Sequence, residues 1–535
     1  MLGKGKYFLT KYRFQLFLFA LVLAFFLITG RSGAVLFDDS GSYMRLTWRE
    51  GVMPFYPLFL LLNQCIFGGG LYLWAVVVEQ ALLAACSIVL LEETVRRRMG
   101  LHAVEGVLLS AFLLYPYTIE MPAAVMTQAI LTEGVAYSFF YMFLTCILLA
   151  VWDKSYARLI GAFGMTLLLT AVRSQLQVVF AVCGVVFWYL ICTRERKAGK
   201  RQRTVRFLTG IAVCVAVSLA GVLLAAGLVR GYKKVMSADD GLTAFATRIQ
   251  VPDAYQAAGE EQGEPDREKA QQPESGSDLS AAETEEEARE KLIKKSFATS
   301  QYLTLIFSRG MYEADYEDAA LFQDELQRGL YLALYEVVDA KQERYAYANE
   351  GLWMWKDIVG GIGSIGMSCI FVPSEYYVDY APEIIMSDDF GAIRHSHLQT
   401  IGLTLIKAHF GRFLYHTLML MPQAFISTVF FQYAPLYGFC HIVTAFLYLS
   451  AVALMIWGYA DARVKKEGAE MMALVLAANV VIVLIISLVF FGQQRYLVYT
   501  FGPFYMAYYL LLRQLWCVRI RGILRKKLSP EKKNV

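Results

Sequence analysis

Hydrophobic positions in this chain do not alternate with polar ones at a helical or strand period; they arrive in long blocks. Runs near the roughly 20-residue length that crosses a bilayer fall at about 14–30, 71–91, 103–118, 133–151, 157–172, 175–192, 206–229, 437–459, 471–491 and 496–512. The pattern predicts an all-α polytopic membrane protein of about ten transmembrane helices. Seven spans precede a long polar-and-aromatic stretch, 230–436, and three follow it. This gives an N-terminal membrane module over 1–229, a large loop domain after the seventh span, and a C-terminal module with a basic tail over 437–535. No internal repeat is apparent.

Within 230–436 the pattern changes twice. The segment at about 255–292, "AAGEEQGEPDREKAQQPESGSDLSAAETEEEAREK" at its heart, is acidic and almost free of large apolar residues, so it reads as a disordered insertion. The stretch 401–431, "IGLTLIKAHFGRFLYHTLMLMPQAFISTVFF", carries Lys407, His409, Arg412 and His416 at near-helical spacing and is interrupted by Pro422. It reads as an amphipathic interfacial helix rather than an eleventh span.

Composition agrees: 57% of residues are hydrophobic and 18% charged, below the quarter usual for soluble domains. The net charge of +4 matters less than its placement. "GKGKYFLTKYR", "EETVRRRMG", "DKSYAR", "TRERKAGKRQRTVR", "DARVKKEG" and "RIRGILRKKLSPEKK" all fall on one face of the predicted topology. The positive-inside rule makes that face, and both termini, cytoplasmic in a plasma-membrane protein. The first outer loop (31–70) and the 230–436 region then lie outside. Lys233 and Lys234 run against the rule, which long translocated loops tolerate. The first apolar run lacks a small-residue cleavage site behind it and reads as a retained anchor. The nine cysteines show no CxxC pair and predict no disulfide framework.

Candidate chemistry gathers on the outer face. Asp38 and Asp39, in "LFDDSGSYMRLTWREG", follow the first span beside Tyr43; a carboxylate there can take a proton from a hydroxyl, bind a hard cation, or simply be solvated. Glu133 opens the fourth span in "ILTEGVAYSFF", where the helix dipole alone would favour an acid. Arg173 ("AVRSQ") and Arg495 ("GQQRYLVY") sit at outer ends of spans, suited to a lipid phosphate or to headgroup snorkelling. His395 and His397 form an HxH pair without a Cys or carboxylate at ligand spacing, so a polar loop is the expectation and no metal ligand is assigned. There is no phosphate-binding glycine loop, nucleophile elbow or HExxH helix. No basic stripe with stacking aromatics occurs on a soluble face, which excludes nucleic acid as a partner.

The order of these features resembles the bacterial polytopic glycosyltransferases of the GT-C superfamily, which includes protein O-mannosyltransferases and aminoarabinose transferases. The resemblance rests on a span, "DDSGSY", the "YPLF" re-entry, an Arg-rich turn, "LTE", "VRSQ", a large outer loop, "KAHFGRFL" and "QQRY". It implies sugar transfer from a polyprenyl-phosphate carrier to an extracytoplasmic acceptor: a protein, a wall polymer or a lipid-linked glycan. It further implies an inverting course with Asp39 as general base and Asp38 orienting or replacing it. Glu133, Arg173, Arg495, Tyr496 and Tyr43 would then bind substrate. Ser174 stands where relatives often have Pro. No cofactor is certain; some relatives use a divalent metal and others do not. A polysaccharide polymerase or ligase, or a secondary transporter or flippase, are the alternatives; the latter predicts inverted repeats that are not evident.

Overall fold

The computed structural model describes residues 2–37, 40–44, 53–118, 125–193, 200–236, 289, 292–293, 305–349, 351, 354–387, 390–430, 436–492 and 494–528. Among them the chain is almost wholly helical, and the β pairing consists of one parallel bridge between Val35 and Ala129. Among the described residues eight helices are long and apolar enough to cross a membrane, and two shorter apolar ones, Ala103–Tyr117 and Tyr156–Val172, accompany them. The protein is a multi-pass, all-α membrane chain. The acidic segment at 255–292 lies outside the described residues apart from Arg289 and Leu292.

The chain forms two compact units. One comprises 1–257, 425–482 and 494–535; the other comprises 258–424 and 483–493.

In the first unit, α1 (Leu2–Thr29) leads through a turn to the short α2 (Ser40–Met44), and α3 covers Phe55–Met99. α3 is two helices joined at Gly68, whose φ of 74° and ψ of 170° belong to a region essentially reserved for glycine. The run beginning at 71 is therefore the second arm of a longer element, and the first arm starts at Phe55 behind Pro54. Then come α4 (Ala103–Leu114), α5 (Glu133–Asp153), α6 (Tyr156–Val172), α7 (Val179–Thr193) and α8 (Lys200–Met236). α5 is the central helix: every residue from Glu133 to Tyr141 is buried. Small residues of α3 (Ala81, Ala84, Ala85) are fully covered in the same core. α8 exposes Leu208, Leu219 and Leu223 instead, as an apolar helix facing lipid does.

The arginine-rich turns gather at one end of this unit. Arg98 Nη1 pairs with Asp153 Oδ1 at 3.1 Å and Arg98 Nε with Glu467 Oε1 at 3.2 Å, while Lys465 Nζ donates to the Arg98 carbonyl at 3.2 Å. Three turns distant in sequence are thus tied together.

In the second unit, α9 (Leu305–Tyr312), α10 (Glu325–Ala340), α11 (Met354–Tyr380), α12 (Pro382–Met386) and α13 (Phe390–Ala408) enclose a core that includes Phe307, Leu334, Ile358, Ile362 and Leu398. α11 is one of the eight candidate spans. It carries no span in the sequence reading, because the glycines and serines of "GGIGSIGMSC" dilute its hydropathy. The single helix expected over 401–431 is two: α13 ends at Ala408, and α14 (Phe410–Val429) begins after His409. Pro422 sits inside α14 without ending it. The remaining helices are α15 (Tyr437–Ala460), α16 (Lys466–Val489), α17 (Gln494–Leu497) and α18 (Phe501–Leu528). The run at 496–512 opens in α17 and continues into α18, which is not among the eight.

Candidate functional site

The first outer loop is fastened to the segment that precedes α5. Val35 N–H donates to the Gln128 carbonyl at 2.9 Å, and Ile130 N–H to the Val35 carbonyl at 3.0 Å. The Gln128 amide returns the contact, its Nε2 donating to Ser32 Oγ at 2.9 Å and to the Gly33 carbonyl at 3.0 Å. Ser40 Oγ accepts from Phe37 N–H and donates to the Ile130 carbonyl, both at 2.9 Å. Asp38 and Asp39 lie outside the described residues. Their neighbours Phe37 and Ser40 are bonded to each other, and Ser40 is held to a backbone carbonyl three residues before Glu133.

Glu133, 2% exposed, opens α5. One carboxylate oxygen accepts from Thr132 Oγ1 at 3.0 Å; the other pairs with Arg173 Nη1. Arg173 terminates α6 in an extended conformation (φ −145°, ψ 121°), which turns its side chain off the helix path. With the Gln175 amide oxygen facing inward, it accepts from Arg173 Nε and Nη2 at 3.0 and 3.2 Å. The guanidinium also lies 5.0 Å from the centre of the Tyr496 ring, a cation–π distance. Glu133, Arg173 and Tyr496 thus meet in one cluster. The Arg495 side chain lies outside the described residues, although its backbone belongs to α17.

A second chain of contacts reaches the same place from α3. Tyr43, on α2, packs edge-on against Tyr56 with ring centres 5.4 Å apart. Tyr56 donates to Gln80 Oε1 at 3.3 Å, and Gln80 Nε2 donates to the Thr127 and Ala129 carbonyls at 3.0 and 3.2 Å. Gly134, next to Glu133, permits this: a Cβ there would collide with the Gln80 amide and approach the Met126 carbonyl. Tyr499 closes the far side, its ring edge-on to Tyr137 at 5.0 Å.

Sequence reasoning did not single out Gln80, Tyr56, Gln175 or Tyr499. A usable signal existed for Gln80, since an amide in "AVVVEQALLAAC" must find partners inside an apolar run. Gln175 and Tyr499 carry none that separates them from neighbouring polar and aromatic residues.

Electrostatically the cluster is balanced. A buried carboxylate is tolerated when paired and hydrogen-bonded, and Glu133 is both. Arg173 commits three of its nitrogens to Glu133 and Gln175, which makes it the counter-charge of Glu133 rather than a grip ready for an anion.

Three of the histidines make polar contacts within the second unit. His416 Nδ1 faces both oxygens of buried Glu313 at 2.8 and 2.9 Å. His397 Nδ1 meets the Tyr377 hydroxyl at 2.7 Å, and burial holds its pKa below the usual histidine value. Asp315, Asp318 and His409 are close enough to share a metal ion. Yet Arg412 Nη2 donates to Asp315 Oδ2 at 2.8 Å and lies 2.6 Å from His409 Nδ1, while His409 Nε2 meets Asp318 Oδ2 at 2.7 Å. A guanidinium already supplies the positive charge that an ion would bring, and these donors do not fit a divalent cation as well.

Compared with protein-family models, curated proteins and solved structures, this chain matches none.

Proposed function

We propose that this chain is an integral membrane glycosyltransferase of GT-C type, moving a sugar from a polyprenyl-phosphate carrier to an extracytoplasmic acceptor. The observation that carries the reading is the meeting of Glu133, Arg173 and Tyr496 beside a first outer loop bonded to the same segment. Four stretches far apart in sequence converge where the order of motifs expects a reaction centre, on the end of the first unit away from its arginine-rich turns.

In this reading Asp39 accepts the proton of the acceptor hydroxyl, and the oxygen attacks the anomeric carbon. The bond to the carrier phosphate breaks, and the phosphate leaves with its electron pair on the opposite face of the sugar. Configuration inverts. A leaving phosphate requires positive charge placed in advance, and Arg495 is the residue assigned to it. Arg173 neutralises Glu133, so that a carboxylate beside the site does not repel the phosphate, and Tyr496 links that pair to the Arg495 backbone. Asp38 orients Asp39, and Tyr43 holds the loop against Tyr56.

The test is mass spectrometry of cell-envelope glycans from a deletion strain complemented with wild type, Asp39→Asn or Asp38→Asn. The reading expects one glycan to lose a sugar in the deletion, to recover it with wild type, and not to recover it with Asp39→Asn. Unchanged glycans in the deletion strain would overturn the transferase; full rescue by both variants would leave an enzyme with a different base.

A further inference from the structure

α3 is too long for one crossing. Its 45 residues amount to about 68 Å of helix, against a hydrocarbon core of about 30 Å. The excess lies in the arm Phe55–Phe67, before the kink at Gly68, in the segment that the hydropathy pattern assigns to the first outer loop. That arm is about 20 Å long and cannot cross by itself. It folds back on the second arm: Tyr56 donates to Gln80 Oε1 at 3.3 Å, and Asn63 Nδ2 donates to Glu79 Oε2 at 2.8 Å. On a straight helix Tyr56 and Gln80 would lie about 36 Å apart.

The polarity of this hairpin is inverted. A helix on an aqueous surface buries its apolar stripe and turns polar residues outward. Here Tyr56, Asn63 and Gln80 are buried and bond across the inside of the hairpin, while Leu58, Leu62 and Ile66 form a stripe at i, i+4 and i+8 on the outside. Leu62 is 58% exposed and Ile66 63%. The apolar surface continues round the apex through Phe67 and Leu71 to Trp74, all exposed. No Asp, Glu, Lys, Arg or His occurs from Phe55 to Val78. Glu79, the first charge after that run, is held by Asn63 on the inside, as an ionisable group at membrane depth is expected to be.

An exposed apolar surface this continuous marks contact with lipid or with protein, and two features select lipid. It runs on into the exposed Leu82 and Leu90 of the second arm, on a helix apolar enough to span the bilayer. Trp74 also fixes the depth. An ideal Cβ on Gly33, just after the candidate span Tyr12–Ser32, would lie 3.5 Å from the Trp74 ring, and an indole at the end of a span marks the membrane interface. Tyr56, level with Gln80, lies six residues to the membrane side of Trp74, about 9 Å deeper.

We infer that the arm Phe55–Phe67 is a re-entrant helix embedded in the bilayer leaflet remote from the arginine-rich turns, with acyl chains covering its Leu58–Leu62–Ile66 face. The inference stands apart from the transferase reading. Its consequence is that the polar cluster around Glu133 is flanked, through Tyr56 and Gln80, by a helix immersed in lipid and not by an aqueous loop.

The experiment is site-directed spin labelling of the full chain in nanodiscs of phosphatidylcholine and phosphatidylglycerol. Nitroxides are placed singly on the native Cys65, which is exposed on the arm, and on Leu62→Cys and Ile66→Cys, each in a background without other cysteines. Power saturation compares collision with molecular oxygen, which concentrates in hydrocarbon, and with a water-soluble nickel chelate. Leu82→Cys is the lipid reference and Arg463→Cys the aqueous one. The arm labels should match Leu82→Cys, with access to oxygen several-fold above access to nickel. Nickel access as high as at Arg463→Cys would overturn the inference by placing the arm in water. Low access to both reagents would overturn it by placing a second copy or another protein on this face. Where substitution at 62 or 66 lowers the Tm, the label on native Cys65 decides.

Discussion

Glu133 is the residue on which the first unit's polar cluster turns. Removing only Arg173 leaves a carboxylate buried without its counter-charge, and breaking such a pair costs about 3–5 kcal/mol. Arg173→Met is expected to lower the Tm in detergent markedly. Adding Glu133→Gln to it should recover part of the loss, since an amide carries no charge to strand. Additive losses in the double variant would contradict the pairing. The second unit offers a test by pH. Burial alone would raise the pKa of Asp315, but hydrogen bonds from Arg412 and Tyr345, with the charge of Arg412, outweigh it and hold the carboxyl below its ordinary value. The sign follows: this contribution to stability is complete above an unfolded-state pKa of about 4 and is lost as pH falls through the lower folded value. Tm should therefore fall in that acid range, and Asp315→Asn should flatten part of that fall. These partnerships were only half legible. Glu133 and Arg173 stood out because charges at span ends are conspicuous, whereas Gln80 and Gln175 became meaningful only once their partners were in place.

The elements tell a similar story at longer range. Apolar runs predicted most of the helices because twenty apolar residues have few soluble alternatives. Two failures have physical reasons. The first outer loop was expected to run to residue 70, yet a helix begins at Phe55 and passes through Gly69 and Gly70 with a kink at Gly68. α11 escaped because glycine and serine lower its mean hydropathy to 1.4 without weakening its packing. The kink is testable. Gly68→Ala should cost about 1–3 kcal/mol, the cost of holding a side chain in that backbone region, while Gly69→Ala should be neutral or stabilising because its added methyl meets open space. Thermal unfolding of both variants checks the contrast, and equal effects would place the kink elsewhere.

For the whole molecule, the distribution of charge carries the argument. Arginine-rich turns meet around Arg98 at one end of the first unit, and the candidate site lies at the other. We assign the arginine end to the cytoplasm. In a cysteine-free background, Arg31→Cys should react with a membrane-impermeant maleimide in intact cells, and Arg463→Cys, on a turn where it is 68% exposed, only after permeabilisation. The reverse labelling would invert the topology and put the site on the wrong side for a lipid-linked donor.

That donor is the centre of the account, and its pool can be measured directly. Lipid extracts from wild-type, deletion and Asp39→Asn cells, compared by liquid chromatography and mass spectrometry, report every polyprenyl-phosphate sugar at once. The account predicts that one such species accumulates several-fold in the deletion and equally in Asp39→Asn. An unchanged pool in both strains would contradict it.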